Sequence, residues 1–401
     1  MYENLTILAG FVFIYSLISG ALEKTPFNGA ILFAAFGLAV GPLGLNLVKL
    51  EMTAEGLSTL AELTLALVLY TDASNAHLGI LKKNIQIPQR LLLIGLPLTL
   101  LLGFSIGYLL FGELSLIEVA LIATMLAPTD AALGKAVVTN KEVPANIREG
   151  LNVESGLNDG ICVPIIFVFL TLSTHIGGQE ETSIMVLQLI IKEIGIGFAT
   201  GCGLTIAGVK LIKLFGNRGW ITESWRQLPI PALAVTCFAL AQWLGGSGFI
   251  ACFVGGLLFG RLEKGHKRKL LLTAEGTGDT LALITWVIFG VLVVGHSIHS
   301  ITWQVVLYSL LSLTIIRMLP VFLALIGLKL RKEEKLFIGW FGPRGLASIV
   351  FAVIILKNNL PGGSTIITTA ACTIVLSIVL HGLTANPLIK AIATRIKRSQ
   401  E

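Results

Sequence analysis

The stretch from Ala127 to Phe169, APTDAALGKAVVTNKEVPANIREGLNVESGLNDGICVPIIFVF, decides how the chain is read. It is set among long apolar runs, yet it holds Asp130 directly behind Pro128 and Thr129, and then Glu154, Asn158 and Asp159. Charge at bilayer depth costs about 2.5–3.5 kcal/mol per residue on insertion scales, so such residues persist where they have work to do. The stretch reads as a cation and proton site at the middle of a membrane.

The rest of the composition agrees. Hydrophobic residues make up 54% of the chain, charged residues 13%, and mean hydropathy is +0.86. Soluble domains carry about 25% charged residues. The chain is therefore an all-α polytopic membrane protein. Its first apolar run, Leu5–Leu22, lacks a basic flank and is long enough to be a span, so it is not read as a cleaved leader. The five cysteines (Cys162, Cys202, Cys237, Cys252, Cys372) are scattered singly and read as small buried hydrophobes, without disulfide or zinc spacing. No cofactor is expected.

A span needs about 20 apolar residues, which gives about 13 candidates. They lie roughly at 5–22, 27–44, 56–73, 90–111, 116–137, 146–172, 184–212, 229–245, 248–261, 272–295, 303–328, 336–356 and 364–385. Basic residues test this division. The 29 Lys and Arg gather in alternate links and at the C-terminus, from Lys24 through Lys82, Lys83 and Lys264 to Arg398. The intervening links hold only Lys49 and Lys357, while Lys192, Arg317 and Arg344 lie inside spans. The rich side is cytoplasmic by the positive-inside rule, which puts the N-terminus outside and the C-terminus inside. The net charge of +6 is thus a topology signal and not a nucleic-acid footprint. Contact with anionic lipid is secondary.

Two halves echo each other. FGLAVGPLGL in the second span answers FVGGLLFGRL in the ninth, and APTDAALG in the fifth answers FGPRGLAS in the twelfth. The offset is odd, so the second copy runs inverted: 5–173 and 229–390 are the repeats, and 184–212 links them. Interrupted helices at matching positions of inverted repeats point to a transport site at the midplane.

Pro128 removes an N–H and opens its helix, leaving carbonyls near Thr129 to coordinate a cation and Asp130 to cap the following half-helix. Gly342, Pro343 and Gly345 do the same beside Arg344, whose guanidinium would balance half-helix C-termini where the breaks cross. Ser155 and Asp159 are spaced i, i+4 and share a helix face, with Glu154 and Asn158 stacked beside them. Hard oxygen ligands suit small hard cations. Asp159 can hold either a proton or a cation, and Glu154 is read as half of a buried pair with an arginine. Asp72 either completes the site or caps the interface, and Asp279 lines the cytoplasmic entrance. Arg317 needs an acid or carbonyl partner and reads as structural. Lys192 and Glu193 mark a subunit contact or the outer interface, and Glu62 has no assignment. His296 and His299 have a metal-like spacing but read as surface residues of a short outer loop.

At PTDAALG (128–134), ESGLNDG (154–160), GPRG (342–345) and GDTLAL (278–283) the sequence resembles the sodium/proton antiporter family, in its NhaP-type branch related to eukaryotic sodium/proton exchangers. The resemblance covers nearly the whole chain. It implies an inverted-repeat fold with two crossed broken helices, a core of spans 4–6 and 11–13, and a dimerisation domain of spans 1–3 and 7–10. It makes Asp159 the carrier, with Asp130, the Thr129 carbonyl and Ser155 as partners around Na⁺, and it pairs Glu154 with Arg344. Asn158 stands where electrogenic relatives have a second aspartate, which implies one proton for one cation. Gly156 replaces the usual leucine, and Asp72 stands where glutamate is frequent.

The expectation is a homodimeric antiporter, not an enzyme, exchanging Na⁺ or Li⁺ for H⁺ across a prokaryotic plasma (inner) membrane, with a part in pH homeostasis. The alternatives are a K⁺/H⁺ antiporter and a gated cation channel, which would conduct without proton coupling. An intramembrane hydrolase is disfavoured, because the chain has neither a GxSxG elbow nor HExxH.

Overall fold

The computed structural model describes residues 2–22, 25, 29–48, 54–75, 86–130, 133–138, 140–175, 181–263 and 267–397. Lys24, Lys49, Lys82, Lys83, Lys264, Arg398 and the Ala131–Ala132 pair of the PTDAALG motif lie outside these residues, as do the side chains of His296 and His299.

Every described element is a helix. In chain order they are α1 (Tyr2–Leu22), α2 (Gly29–Val40), α3 (Ala54–Asn75), α4 (Gln86–Leu110) and α5 (Leu116–Met125). Then come α6 (Ala145–His175), α7 (Glu181–Asn217), α8 (Pro229–Trp243), α9 (Gly248–Leu262) and α10 (Lys267–Val294). The last are α11 (Trp303–Ala324), α12a (Lys332–Trp340), α12b (Leu346–Lys357) and α13 (Gly363–Lys397). Each expected span thus has a helix. Seven are long and apolar enough to cross a bilayer alone, among them α6, α11 and α13. The two glycine-rich segments are short, as expected. The 12 residues of α2 rise about 18 Å at 1.5 Å each, well under a hydrocarbon core of about 30 Å. Both α7 and α13 run longer than the hydropathy suggested, because polar and basic turns continue the helix past the apolar run.

The departures from regular helix have local causes. In α4 a π-helical turn, Leu91–Gly95, precedes Pro97, which cannot donate to the turn before it. The fifth segment stops at Met125, ahead of Pro128, and resumes only as the turn Lys135–Val138. The twelfth breaks over 341–345, between α12a and α12b. Thr314 (φ −111°, ψ −94°) interrupts α11 three residues before Arg317.

The chain divides into two compact units. The first comprises residues 1–58, 86–155 and 283–401, and the second 59–85 and 156–282. In the first, α2 lies backbone to backbone against the end of α10. A Cβ on Gly37 would run into the Val287 carbonyl, and one on Gly290 into that of Ala34. Small residues permit such approach where helices associate in lipid. At one end of α5, Ser115 caps the helix reciprocally with Glu118, and the buried Glu118 carboxylate also accepts from Gly362 N–H at 2.6 Å. At the opposite end of this segment, Ile87, Leu91, Ile147, Leu151, Val321, Phe337 and Ile389 form an apolar cluster. In the second unit the glycines of α9 serve as those of α2 do. A Cβ on Gly256 or Gly260 would strike the carbonyl of Tyr70 or Ser74 on α3.

Candidate ion site

The two broken helices cross within the first unit, and backbone groups join them. Asp130 N–H donates to the Pro343 carbonyl at 2.8 Å. The Asp130 carboxylate accepts from Leu346 N–H at 2.9 Å through Oδ2 and from Leu133 N–H at 3.2 Å through Oδ1. Asp130 therefore caps α12b as well as its own following turn, placing negative charge where helix N-termini expose N–H groups. Gly345 is required at this contact, because a Cβ there would overlap the Asp130 carboxyl. Ser348 Oγ donates to the Met125 carbonyl at 2.8 Å, and Arg344 N–H to Ser377 Oγ at 2.7 Å.

The Arg344 side chain is fully buried. Its guanidinium donates to the Gly342 carbonyl at 3.0 Å and lies 3.5 Å from the carbonyls of Pro128 and Ser312. It sits on the carbonyl ends of α12a and α5 and on the carbonyl released next to the Thr314 break. That is where a helix dipole favours a cation.

One expected contact is corrected. Glu154 pairs with Arg317, not with Arg344. Arg317 Nη1 donates to Oε1 at 2.5 Å and Nη2 to Oε2 at 2.7 Å, and both side chains are 2% exposed. The reason is geometric. Arg344 is drawn to carbonyls at the crossing, whereas the break at Thr314 presents Arg317 from α11 to α6 in a fork that matches a carboxylate. The sequence marks Arg317 as needing an acid or carbonyl partner, but spacing cannot choose between two arginines.

The Thr129 carbonyl accepts the Ser155 hydroxyl in a short hydrogen bond, so α6 is fastened to the unwound stretch at Ser155. Thr129 and Ser155 are buried, at 3% and 5% exposure. Asn158 and Asp159 are also buried, and they occupy the next turn of the same helix. Asp159 follows Ser155 by i+4 and so shares its face. The structure thus gathers Thr129, Asp130, Ser155, Glu154 and Arg344 in the first unit; Asn158 and Asp159, on the next turn of α6, belong to the second.

Asp72 and Asp279 are exposed on α3 and α10 in the second unit. Asp72 is beside α6: a Cβ built on Gly156 would come within 4.0 Å of its Cβ. Gly278 faces Val68 of α3, next to Asp279. The polar residues that the sequence did not single out are Ser348, Ser377 and His381. Ser348 is a lone polar residue in an apolar helix, whereas Ser377 and His381 continue an i, i+4 row with Thr369 and Thr373 along α13.

A family model described as sodium/hydrogen exchanger, transmembrane, matches residues 10–391. The K⁺/H⁺ antiporter NhaP2 of Shewanella oneidensis is 23% identical over 271 residues, covering 67% of this chain and 46% of its own length. The K⁺/H⁺ antiporter NhaP of Alkalimonas amylolytica is 24% identical over 400 residues, 96% of this chain and 66% of its own. A Na⁺/H⁺ antiporter of Schizosaccharomyces pombe is 25% identical over 318 residues, 72% and 67% of the two chains. The chain spans only about half to two thirds of the length of these relatives. The solved sodium proton antiporter MjNhaP1 of Methanocaldococcus jannaschii superposes with a TM-score of 0.74 at 23% identity, over 98% of both chains, and so shares the fold.

Proposed function

The chain belongs to the sodium/hydrogen exchanger family, and from that premise we propose that it is a secondary antiporter exchanging a monovalent cation for a proton at Asp159. The observation that carries this is a buried carboxylate on the face of α6 that Ser155 fastens to the broken helix. One carboxylate holds a proton or a cation, not both, and alternating exposure of it turns that competition into exchange. The Asp130, Thr129 and Ser155 oxygens are the remaining ligands of this reading. The coarser reading, cation/proton antiport without enzymatic activity, is the one that membership and relatives support together.

Stoichiometry follows from charge. Glu154 is neutralised by Arg317, and Asp130 is held by backbone N–H groups from two helices. Asn158 carries no charge. Asp159 is left as the group whose charge is exchanged, which supports one proton for one cation and electroneutral transport. Na⁺, with Li⁺, is our first reading for the cation. K⁺ is the second, favoured by the K⁺/H⁺ antiporters among the relatives. The wider reading is a homodimer in a prokaryotic plasma membrane, N-terminus outside, whose core spans 4–6 and 11–13 move against a dimerisation domain.

The test is dequenching of a pH dye in proteoliposomes on addition of Na⁺, Li⁺ or K⁺. The wild type responds to one or more of these cations, and Asp159→Asn abolishes the response while eluting as a folded protein. Retained exchange in that variant removes Asp159 from the carrier role. Cation flux without proton movement replaces the antiporter with a channel.

A further inference from the structure

His381 is 3% exposed, deep in α13, and has no part in the exchange chemistry described above. Its ring is tied on both sides. Nε2 lies 2.8 Å from the carbonyl of Trp340, the last residue of α12a. Nδ1 lies 2.8 Å from the Ser377 carbonyl and 3.2 Å from the Ser377 hydroxyl. That hydroxyl accepts the N–H of Arg344 at 2.7 Å. The Trp340 ring lies tilted against the imidazole at 5.2 Å between centroids, and its Nε1 donates to Thr384 at 2.9 Å, one turn along α13.

We propose that His381 is a positioning residue for exchange, holding Arg344 at the helix crossing through Ser377 while its far nitrogen anchors the end of α12a. A break in a helix frees carbonyls and N–H groups that must be satisfied internally in a membrane. Here one ring bridges the two lips of the break, at Trp340 and, through Ser377, at Arg344. The hydrogen-bond chain belongs to the neutral ring with its hydrogen on Nε2, which donates to Trp340 and accepts from the Ser377 hydroxyl. An imidazolium donates to both carbonyls and reaches Arg344 only through the Ser377 backbone. Thr384 and the Trp340 indole hold the ring against the same helix end. The role rests on the antiporter reading, because the quantity His381 controls is the geometry of the crossing during turnover.

The experiment measures turnover and apparent cation KM in proteoliposomes for His381→Ala, His381→Gln, Ser377→Ala and the double Ala variant. His381→Ala lowers turnover about tenfold, with cation KM within about twofold of wild type. His381→Gln, whose amide still reaches Trp340, recovers most of the loss. The double variant is no slower than the worse single one, because both cut the same chain. Wild-type turnover in His381→Ala overturns the role, and so do additive losses in the double variant or a change confined to KM. Should His381→Ala fail to fold, the Gln variant and Ser377→Ala decide on the same criteria. A wild type that shows no exchange sinks the antiporter reading instead, which keeps the two failures apart.

Discussion

Glu154→Ala removes one partner of a fork-to-fork ion pair in which both side chains are 2% exposed. What remains is the Arg317 guanidinium, whose Nη1 and Nη2 each donate to that carboxylate and whose Nε has no hydrogen-bond partner among the described residues. With charge centres about 4 Å apart and an effective dielectric of 20, the lost attraction is about 4 kcal/mol. Breaking buried pairs from one side costs about 3–5 kcal/mol in other proteins, so two routes agree. Arg317→Met alone strands the carboxylate and carries a similar cost. Replacing both partners with apolar groups of like volume, Glu154→Leu with Arg317→Met, recovers most of it, because no charge is left unpaired. The assay is the midpoint of irreversible thermal aggregation in detergent, with size exclusion of the unheated protein. A Glu154→Ala variant as stable as wild type refutes the reasoning. So does a double variant less stable than either single one. Arg344→Met serves as a control: its loss adds in full to that of Glu154→Ala, because the two side chains are not partners.

Other consequences are open to direct measurement. Gly345→Ala forces a Cβ into the Asp130 carboxyl, so it destabilises by about 1–3 kcal/mol and impairs exchange; a neutral outcome in a melting assay contradicts the described crossing. Gly156→Ala meets only ordinary contact with Asp72, at 4.0 Å, and removes a glycine from mid-helix. It should therefore fold at least as stably as wild type, with a gain of up to about 1 kcal/mol read from the same melts. Because a proton and a cation compete for one carboxylate, acidification raises the apparent cation KM, and saturating cation restores the rate. A fall in maximal rate with unchanged KM would argue against competition at Asp159. An imposed membrane potential leaves the rate unchanged if exchange is one for one, and a steep voltage dependence rules that stoichiometry out.

What the sequence revealed depended on how local the cause was. The breaks at Pro128 and at Gly342–Gly345 were legible because proline and glycine act on their own turn of helix. Burial of Asp159 was legible because an acid amid apolar turns has nowhere else to sit. The partner of Glu154 was not. Arg317 and Arg344 are both arginines in late spans, and only the interruption at Thr314 decides which of them reaches α6. Ser377 and His381 were readable as part of an i, i+4 polar row with Thr369 and Thr373, but their partners were not. Their value lies in the backbone groups they satisfy across a gap, Trp340 O and Arg344 N–H, and those groups have no signature in side-chain pattern. The reciprocal cap of Ser115 and Glu118 was a readable pattern, whereas the third bond from Gly362 was not.

The unwound stretches carry a practical implication for anyone handling this protein. Among the described residues, amides and carbonyls at these breaks are engaged by Asp130, Ser348, Ser377 and Arg344, all supplied by the chain itself. Purification in buffers based on bulky organic cations should thus yield folded material, and reloading it with the transported ion should raise its melting point by mass action without any refolding step.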